Sequence, residues 1–408
     1  MRTSSWAAFV AAPFIVAAAA GQVFNSLEAP AGADGAPTVD GVSADGLVLF
    51  GRSLSQCDPT PIRWLRSGAA VAAQSLGFDN GLPRTSSSNG WHLAGDTNCD
   101  ANPNALTWIW NPSDGLQALS VLPVESFRFT QIRGLSGDGS VVAGYGQPDF
   151  TAEPEVAVRI GAGPVFSLGT AQTPTDGPLV SADGSTVVFI GRPAANPTSR
   201  VLYRWTAPAG PLVPAATIPL TADLLAVSND GSTAYFQTQY GGPLQRHRVG
   251  EGVTTVSTVC CPGLATDITP DGRVVVGLAT RSGQSTAYMW DATNGVRFID
   301  TLLTGLGVNL GGATLTSAKA ISDDGTTIVG EGAPKPWMAD IDEPPPPACD
   351  PDMNQDGNAD QDDVAYLINV VGGGGNPTGI DPDFNQDGNA DQDDVAALID
   401  TVGGGGCP

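Results

Sequence analysis

The stretch Ser136-Gly137-Asp138-Gly139-Ser140-Val141-Val142-Ala143-Gly144 places a tight polar turn directly before a β-branched run. An Asp-Gly pair between two apolar runs is the strongest short-range signal for a β-hairpin. Six similar turns recur along residues 21–340, at a period in the mid-forties. They are Ser43-Ala44-Asp45-Gly46, the degenerate Ser88-Asn89-Gly90, Ser181-Ala182-Asp183-Gly184, Ser228-Asn229-Asp230-Gly231, Thr269-Pro270-Asp271-Gly272 and Ser322-Asp323-Asp324-Gly325. The sequence therefore contains seven copies of one hairpin-forming unit.

Each unit continues in the same way after its hairpin. A third apolar run follows, often ending in tryptophan as at Trp64, Trp205 and Trp290, and a glycine turn leads to a fourth run. Four short strands at this period are typical of a β-propeller blade. We therefore predict a mainly β fold, with a seven-bladed β-propeller over residues 21–340. An open β-solenoid and a pair of β-sandwiches are the alternative topologies.

The two ends of this region complement each other. The last unit stops at Trp337-Met338-Ala339-Asp340 and lacks a fourth strand. The run Val23-Phe24-Asn25-Ser26-Leu27 precedes the first turn as a fourth strand would precede the next unit. We expect this run to complete the last blade and close the ring, which leaves no exposed sheet edge at the junction.

The end of the chain carries a different repeat. The segment from Asp352 to Ile368 recurs 31 positions later, from Asp383 to Ile399, with two residues changed. Its oxygen-bearing residues keep the spacing of a calcium loop, with glycine at position 6 for the sharp turn. Position 12 is Asp where an EF-hand has Glu, and a proline-rich entry replaces the entering helix. The predicted ligands of two Ca²⁺ ions are Asp352, Asn354, Asp356, Asn358, Asp360 and Asp363 in the first copy and Asp383, Asn385, Asp387, Asn389, Asp391 and Asp394 in the second.

A short amphipathic helix is predicted after each loop. Apolar residues recur there at i, i+3, i+4 and i+7, which is the helical spacing. Each helix is expected to end at a four-glycine run, at 372–375 and at 403–406, because glycine adopts the left-handed conformation past a helix end. The two stripes can pack on each other; they are Val364, Leu367, Ile368 and Val371, and Val395, Leu398, Ile399 and Val402. An acidic, solvated tail without structure is the alternative.

With Asp at position 12 and no entering helix, residues 349–408 resemble a type I dockerin domain, closest to the tails of planctomycete exported proteins that end near a Gly-Cys pair. The resemblance implies a small α-helical calcium-binding domain that docks on a cohesin-like receptor. Clostridial dockerins usually carry small hydroxyl residues at positions 10 and 11, so a different receptor specificity is expected here. The expected partner contacts are Gln361, Asp362, Tyr366, Gln392 and Asp393.

The units of residues 39–340 resemble the extracellular repeats called HAF repeats. The likeness rests on Ser-x-Asp-Gly, on a β-branched run that ends in glycine and on the later tryptophan. It implies an exported β-propeller and supplies no function.

Composition and charge indicate an extracellular protein. The chain has 408 residues and a net charge of −24, and residues 349–408 hold 13 Asp and no Lys, Arg or His. Nucleic acid is excluded as a partner because phosphate binding needs basic clusters. Residues 1–20 have the pattern of a signal peptide with cleavage near Ala20, which predicts a secreted or cell-surface protein with no membrane span in the mature chain. A membrane anchor is the alternative interpretation of residues 1–20. Residues 341–348 are interpreted as a proline-rich linker between the two domains.

Six cysteines are consistent with an oxidising compartment. Cys260 and Cys261 are neighbours, and either a strained bridge between them or two unpaired thiols is possible. A metal site is the competing interpretation of the cysteines, but their spacings match no zinc pattern. The predicted disulfides are Cys349–Cys407, which would join the ends of the C-terminal domain, and Cys57–Cys99, whose members stand at similar places in adjacent units.

No catalytic residue is predicted. His92 and His247 lie in different units, and a lone histidine among strands is usually structural or exposed. The run Asp96-Thr97-Asn98-Cys99-Asp100 resembles half a calcium loop but lacks glycine at position 6, which favours a polar loop. The aspartates of the Asp-Gly turns are interpreted as turn residues.

Two functions of different classes are consistent with these features. The first is a secreted, non-enzymatic propeller that binds an extracellular glycan or protein and is tethered through its dockerin-like domain to a cell-surface or multiprotein assembly. The alternative is a carbohydrate-active enzyme, a glycoside hydrolase or lyase in polysaccharide degradation. A hydrolase would need two carboxylates about 5 to 10 Å apart in a central cleft.

Overall fold

A computed structural model describes residues 23–31, 35–53, 59–97, 107–119, 128–147, 153–169, 172–196, 198–341, 351–354, 359–378, 380, 382, 384–385 and 390–403. In these residues, 28 strands form seven four-stranded antiparallel sheets. The first strand of each sheet packs against the first strand of the next, around one axis. The predicted seven-bladed β-propeller is therefore confirmed.

The strands of blades 1 to 6 follow chain order from the axis outward, and in blade 7 the strands β26, β27 and β28 are followed by β1 at the outer edge. The bounds are β1 Val23–Ser26; in blade 1, β2 Pro37–Val42, β3 Val48–Ser53, β4 Pro61–Ser67 and β5 Ala70–Ser75; in blade 2, β6 Gly81–Ser86, β7 Leu93–Thr97, β8 Thr107–Asn111 and β9 Gly115–Ala118; in blade 3, β10 Arg128–Leu135, β11 Val141–Gln147, β12 Glu155–Ile160 and β13 Phe166–Ser167. They continue in blade 4 as β14 Gln172–Val180, β15 Thr186–Pro193, β16 Arg200–Thr206 and β17 Leu212–Ile218; in blade 5 as β18 Asp223–Val227, β19 Thr233–Gln237, β20 Leu244–Arg248 and β21 Gly252–Ser257; in blade 6 as β22 Leu264–Ile268, β23 Val274–Arg281, β24 Gln284–Asp291 and β25 Gly295–Phe298; and in blade 7 as β26 Thr314–Ile321, β27 Thr327–Ala333 and β28 Trp337–Asp340.

Three helices complete the described chain. The helix α1 (Ile299–Gly305), which the sequence pattern did not predict, buries Ile299 and Leu303 in the core shared by blades 6 and 7. The predicted amphipathic helices α2 (Gln361–Val371) and α3 (Gln392–Val402) are present and stop before Gly372 and Gly403. None of the described helices is long and apolar enough to span a membrane.

The Ser-x-Asp-Gly sequence forms the turn between the first two strands of a blade. Asp138 Oδ1 accepts hydrogen bonds from the Ser136 hydroxyl at 2.6 Å and from the Ser140 N–H at 2.8 Å. Gly139 has a φ of 77°, in the left-handed region that favours glycine. The same hydroxyl contact recurs in the pairs Ser43–Asp45, Ser87–Asn89, Ser181–Asp183, Ser228–Asp230, Thr269–Asp271 and Ser322–Asp324. The interpretation of these aspartates as turn residues is confirmed.

In blades 1, 2, 3, 6 and 7, a glycine in the second strand permits a close approach of the first strand. A Cβ at Gly144 would lie 2.0 Å from the carbonyl oxygen of Gln131, and one at Gly330 would lie 2.1 Å from that of Ser317. No side chain fits at such distances, so glycine is required where the first strand bends toward the second.

The hydrophobic core lies between neighbouring blades. The third-strand residues Trp108 and Trp337 are fully buried. Their indole N–H groups donate to the carbonyl oxygens of Asp96 at 2.9 Å and Glu331 at 2.8 Å. A buried indole needs such an acceptor, so these tryptophans fix the spacing of the outer strands as well as filling the core.

The N-terminal strand closes the ring as expected. β1 pairs antiparallel with β28, from Val23 opposite Asp340 to Ser26 opposite Trp337. Leu27, which follows β1, is fully buried in a core formed with blade 1 and blade 7. The last blade therefore has four strands and no open edge at the junction.

Several sequence predictions lie outside the described residues. These are the signal peptide over 1–20, all of the linker except Ile341, and both predicted disulfides, Cys57–Cys99 and Cys349–Cys407. They stay predictions.

Candidate functional site

Each innermost strand carries an extra residue near its centre. In blade 1, Val39 pairs with Gly51 and Gly41 pairs with Phe50, so Asp40 has no partner across the ladder. Such a β-bulge re-aims the side chain of the extra residue. The equivalent residues in the other blades are Arg84, Arg133, Pro178 beside Gly177, Leu225, Thr266 and Lys319.

The bulges surround a cavity of ≈ 350 Å³ on the propeller axis. Three cations, Lys319, Arg84 and Arg133, line it from blades 7, 2 and 3, with Asp40 of blade 1 between the first two. We call these four residues the cationic arc. Leu225 and Thr266, from blades 5 and 6, also line the cavity; we call them the neutral arc. The three cations thus lie on one side of the cavity, whereas the carboxyl group of Asp267 lies beside Thr266 on the other.

The aspartates near the cationic arc are already engaged by protein groups. Asp40 accepts hydrogen bonds from Nη1 of Arg52 at 2.7 and 2.6 Å. Asp96 accepts one from Arg84 Nε at 2.8 Å and one from the Ile132 N–H at 2.6 Å. Burial raises the pKa of both carboxyls, and the arginines oppose that rise only in part.

A ring of turns surrounds one end of the cavity. The N–H of Ser88 donates to Gly137 O at 3.0 Å, and that of Gly137 donates to Ala182 O at 2.8 Å. The turn of blade 6 has Pro270 at the equivalent position, which offers no N–H. Asn229 Nδ2 instead donates to Asp323 at 3.3 Å, linking the turns of blades 5 and 7.

Asp267, which lines the cavity together with Asp40 and Asp323, is held between blades 6 and 7. Its two carboxylate oxygens accept the N–H groups of Ile268 at 2.9 Å and Ile321 at 3.0 Å. Loss of hydration raises the pKa of Asp267 to about 7, against the effect of these two hydrogen bonds. Each of its oxygens therefore already accepts one backbone N–H.

The other polar residues noted in the sequence do not form a joint site. Asp96 belongs to the buried strand β7 and not to a polar loop, so that expectation was wrong for this residue. His247 is buried in blade 5, where loss of hydration and then Arg204 lower its pKa, and His92 is half-buried in blade 2. Among the described residues, no group of three or more His, Cys, Asp or Glu is arranged to hold a metal.

Cys260 and Cys261 are joined by a disulfide. Both are buried in a cluster that includes Tyr235, Tyr288 and Trp290, between blades 5 and 6. Of the two possibilities that the sequence left open, the structure has the bridge.

The C-terminal repeats place their position-12 aspartates in the interior. Asp363 is fully buried, and its two oxygens accept the N–H groups of Asn354 at 2.9 Å and Asp360 at 2.8 Å. Asp394 repeats this arrangement, accepting from Asn385 at 2.9 Å and Asp391 at 2.7 Å. Asp352 is half-buried. The predicted ligands Asp356, Asn358, Asp383, Asp387 and Asn389 lie outside the described residues.

The two C-terminal helices pack against each other around Met353, Leu367, Phe384 and Leu398. Ile368 and Ile399, which were placed on the packed stripes, are instead each 54% exposed, so the stripes are narrower than expected. Of the expected partner contacts, four are exposed at the starts of the helices: Gln361, Asp362, Gln392 and Asp393. The fifth, Tyr366, is half-buried, and its hydroxyl donates to Asn376 Oδ1 at 2.8 Å.

Comparisons with known proteins concern the propeller. No family model matches the chain, and no curated protein matches it. Similar solved structures include an oligogalacturonate lyase from Vibrio parahaemolyticus, with 10% identity, coverage of 80% of this chain and 99% of that one, and a TM-score of 0.49. TolB from Acinetobacter baumannii has 13% identity, coverage of 73% and 81%, and a TM-score of 0.41. The β-propeller domain of the Trilobed protease from Pyrococcus furiosus, described as having an open velcro topology, has 12% identity, coverage of 76% and 96%, and a TM-score of 0.48.

Proposed function

We propose that this chain is a secreted ligand-binding propeller, tethered through a calcium-loaded dockerin-like domain at residues 349–408 to a cohesin-like receptor. The observation that carries the proposal is the burial of Asp363 and Asp394 in a segment that contains no Lys, Arg or His. A buried ionised carboxylate needs a compensating positive charge. Two backbone N–H groups at the start of a helix supply part of this compensation, and a bound cation is the only source of a full positive charge within this segment.

The donor set of the two repeats fits calcium. Each buried carboxylate accepts one backbone N–H per oxygen, and an ionised carboxylate has about four lone-pair sites, so acceptor capacity remains on both oxygens. Calcium prefers hard oxygen donors in flexible loops, and the residues at positions 1, 3, 5, 7, 9 and 12 of each repeat would hold it. When bound, calcium supplies the charge that lets the loop carboxylates lie together.

A calcium titration of the full chain tests this part of the proposal. We expect two calcium-binding sites. We also expect the helical circular dichroism signal to increase from chelator to millimolar calcium, because the loop carboxylates repel one another when no metal is bound. Asp394→Asn should reduce the stoichiometry from two to one, whereas Asp400→Asn, at an exposed helix position, is the matched control. Absence of any calcium-dependent signal would remove the metal assignment.

The propeller is better suited to binding than to glycoside hydrolysis. A hydrolase requires one carboxyl free to donate a proton and a second to act as base or nucleophile. Among the described acids that line the cavity, Asp40 is held by Arg52, both oxygens of Asp267 accept backbone N–H groups, and Asp323 accepts a hydrogen bond from Asn229 at 3.3 Å. All three already have protein partners, which favours binding over hydrolysis and leaves the carbohydrate-active enzyme as the second candidate. Its test is release of reducing ends from acidic and neutral polysaccharides.

A further inference from the structure

We propose that the axial cavity binds a small hydroxylated carboxylate, of the size of an acidic monosaccharide, through Arg133 and Lys319. This inference rests on the proposed role of the propeller as a ligand-binding domain and names its ligand class. Four properties of the cavity carry it: its two free cations, the satisfied acids beside them, its hydroxyl groups and its volume.

The first property is the availability of two cations. Lys319 makes no hydrogen bond or ion pair with any residue of the described chain, although it is an exposed bulge residue that lines the cavity. Within the described part of the chain, Arg133 donates only to Gln131 Oε1, at 3.2 Å, and its guanidinium lies 5.6 Å from the centre of the Tyr145 ring. That ring orients the guanidinium without using its N–H donors. Both groups are therefore free to bind an anion.

The second property is the state of the neighbouring acids. Asp40 is bound on both oxygens by Arg52, and Glu331 accepts the Val39 N–H at 3.1 Å. Asp96 is satisfied by Arg84 and by the N–H of Ile132. These carboxylates take their hydrogen bonds from other groups, and Arg133 and Lys319 act on them through charge alone: burial raises the pKa of all three, Lys319 opposes the rise at Asp40 and Glu331, and Arg133 opposes it at Asp96. The N–H donors of Lys319 and most of those of Arg133 thus remain available for charge-assisted hydrogen bonds to a bound anion.

The third property is the set of hydroxyl groups on the wall of the cavity. Thr85, Ser86 and Ser88 of blade 2 line it beside Arg84. Ser87 and Thr266 also line it, but their hydroxyls already donate to Asn89 Oδ1 and to Ala318 O. Such groups both donate and accept hydrogen bonds, as sugar hydroxyls do. A ligand with one carboxylate and several hydroxyl groups could bind both kinds of lining group: its carboxylate would contact Arg133 and Lys319, and its hydroxyls would contact the hydroxyl side chains.

The fourth property is the volume. The cavity holds ≈ 350 Å³, at the lower end of the range of about 300–1,000 Å³ usual for small-molecule sites. This size favours a single sugar ring or a hydroxy acid over an extended chain. A long polysaccharide would have to present one acidic residue at its end.

The test is calorimetric titration of the full chain with D-glucuronate, with D-glucose as the neutral analogue and inorganic phosphate as the simple anion. We expect one glucuronate per chain, and binding of glucose and of phosphate weaker by about tenfold or more, because each lacks one of the two recognised features. Titrations in calcium and in chelator should agree. If the C-terminal domain did not bind calcium, glucuronate binding by the cavity would be unaffected. The proposed calcium-dependent tether and the proposed cavity ligand can therefore be refuted separately.

Two variants and a control locate the site. Arg133→Gln and Lys319→Met should each weaken glucuronate binding by about tenfold, as expected for loss of a charge-assisted hydrogen bond. Arg248→Gln removes an exposed cation of blade 5 that pairs with Glu251, and should leave affinity unchanged. Unaltered tryptophan fluorescence and melting temperature would show that the variants are folded.

Three outcomes would overturn the proposal. They are no binding of glucuronate, binding that both cavity variants leave unchanged, and phosphate binding as tight as that of glucuronate. The last result would identify a general oxyanion site in place of one for a hydroxylated carboxylate.

Discussion

The carboxylate of Glu331 accepts the backbone N–H of Val39 at 3.1 Å, across the junction where the last blade meets the first. Val39 immediately precedes the bulge residue Asp40, so its N–H lies at a distorted point of the ladder. Other junctions use the same device, in which a side-chain oxygen of one blade accepts an N–H from the innermost strand of the next. These pairs are Asp96–Ile132, Asp176–Leu224, Gln237–Ala265 and Asp267–Ile321.

Removing this acceptor should weaken ring closure. Glu331→Ala leaves the N–H of the buried Val39 unsatisfied, at a cost of about 1–3 kcal/mol in the free energy of unfolding. Glu331→Gln retains an amide oxygen, like that of Gln237 at the next-but-one junction, and should cost less than half as much. Urea unfolding followed by tryptophan fluorescence measures both, since residues 349–408 contain no tryptophan. Equal stability of the alanine variant and the parent chain would contradict a closing role for Glu331.

The N-terminal strand should contribute strongly to the stability of the whole propeller. Leu27→Ala removes a fully buried side chain between the first and last blades, and large-to-small changes of this kind cost about 2–5 kcal/mol. Ser26→Ala, at the exposed neighbouring position, is the matched control. Deletion of residues 21–29 should lower the melting temperature further. If the deleted chain melted like the mature one, β1 would have no role in closure.

The stability of the propeller should fall as the pH rises from about 4 to 7. The folded-state pKa of Asp267 is about 7, and in the unfolded chain it returns to about 3.9. Between these values the folded state holds a proton that the unfolded state has released, so raising the pH favours unfolding. Unfolding curves at pH 4.5 and 7.5 would show the difference.

Two variants test whether Asp267 causes this dependence of stability on pH. Asp267→Asn should remove much of the dependence on pH between 4 and 7, although the amide satisfies only one of the two N–H groups. Asp223→Asn, an exposed change in blade 5, should leave the slope as it is. A parent chain that gains stability from pH 4.5 to 7.5 would refute the assignment.

The near-identity of the C-terminal repeats predicts two equivalent modes of docking. Asp362 and Asp393 are exposed at the same position in the first turns of α2 and α3. Reversing the charge of either aspartate should cost little affinity for the proposed receptor, because the unchanged repeat can still bind it. Reversing both should cost more than the sum of the single changes.

Receptor binding and calcium stoichiometry should be measured on the same samples, because a lysine in the first helical turn also opposes the helix dipole. Asp400→Lys, near the end of α3, serves as the control. A single change that abolishes docking while two calcium ions still bind would establish a one-face mode.

The sequence predicted those parts of the fold that depend on local, repeated chemistry. The Asp-Gly turns and the closing strand before Ser43 could be identified because each blade repeats them. The bulges could not, since a bulge depends on how two strands register and bend. A signal was nevertheless present: each bulge residue stands three positions before the Ser or Thr of its turn, as Arg133 stands before Ser136. Comparing that position across the units would have revealed the cationic arc.

The missed features share a physical cause. The exposure of Ile368 depends on where the partner helix packs, and the burial of Asp96 depends on the neighbouring blade, so neither follows from spacing within one segment. The helix α1 is amphipathic only over two buried residues, which is too short a pattern to be distinguished from the end of a strand.

The position of β28 also determines how the propeller carries mechanical load. The chain leaves the ring after Asp340, at the end of a strand that is hydrogen-bonded to β1 on one side and β27 on the other. The next residue, Ile341, is buried, and its N–H donates to Thr326 O at 2.9 Å. A pull applied from beyond residue 341 is therefore resisted by two rows of hydrogen bonds at once, and not by the peeling of an outer strand.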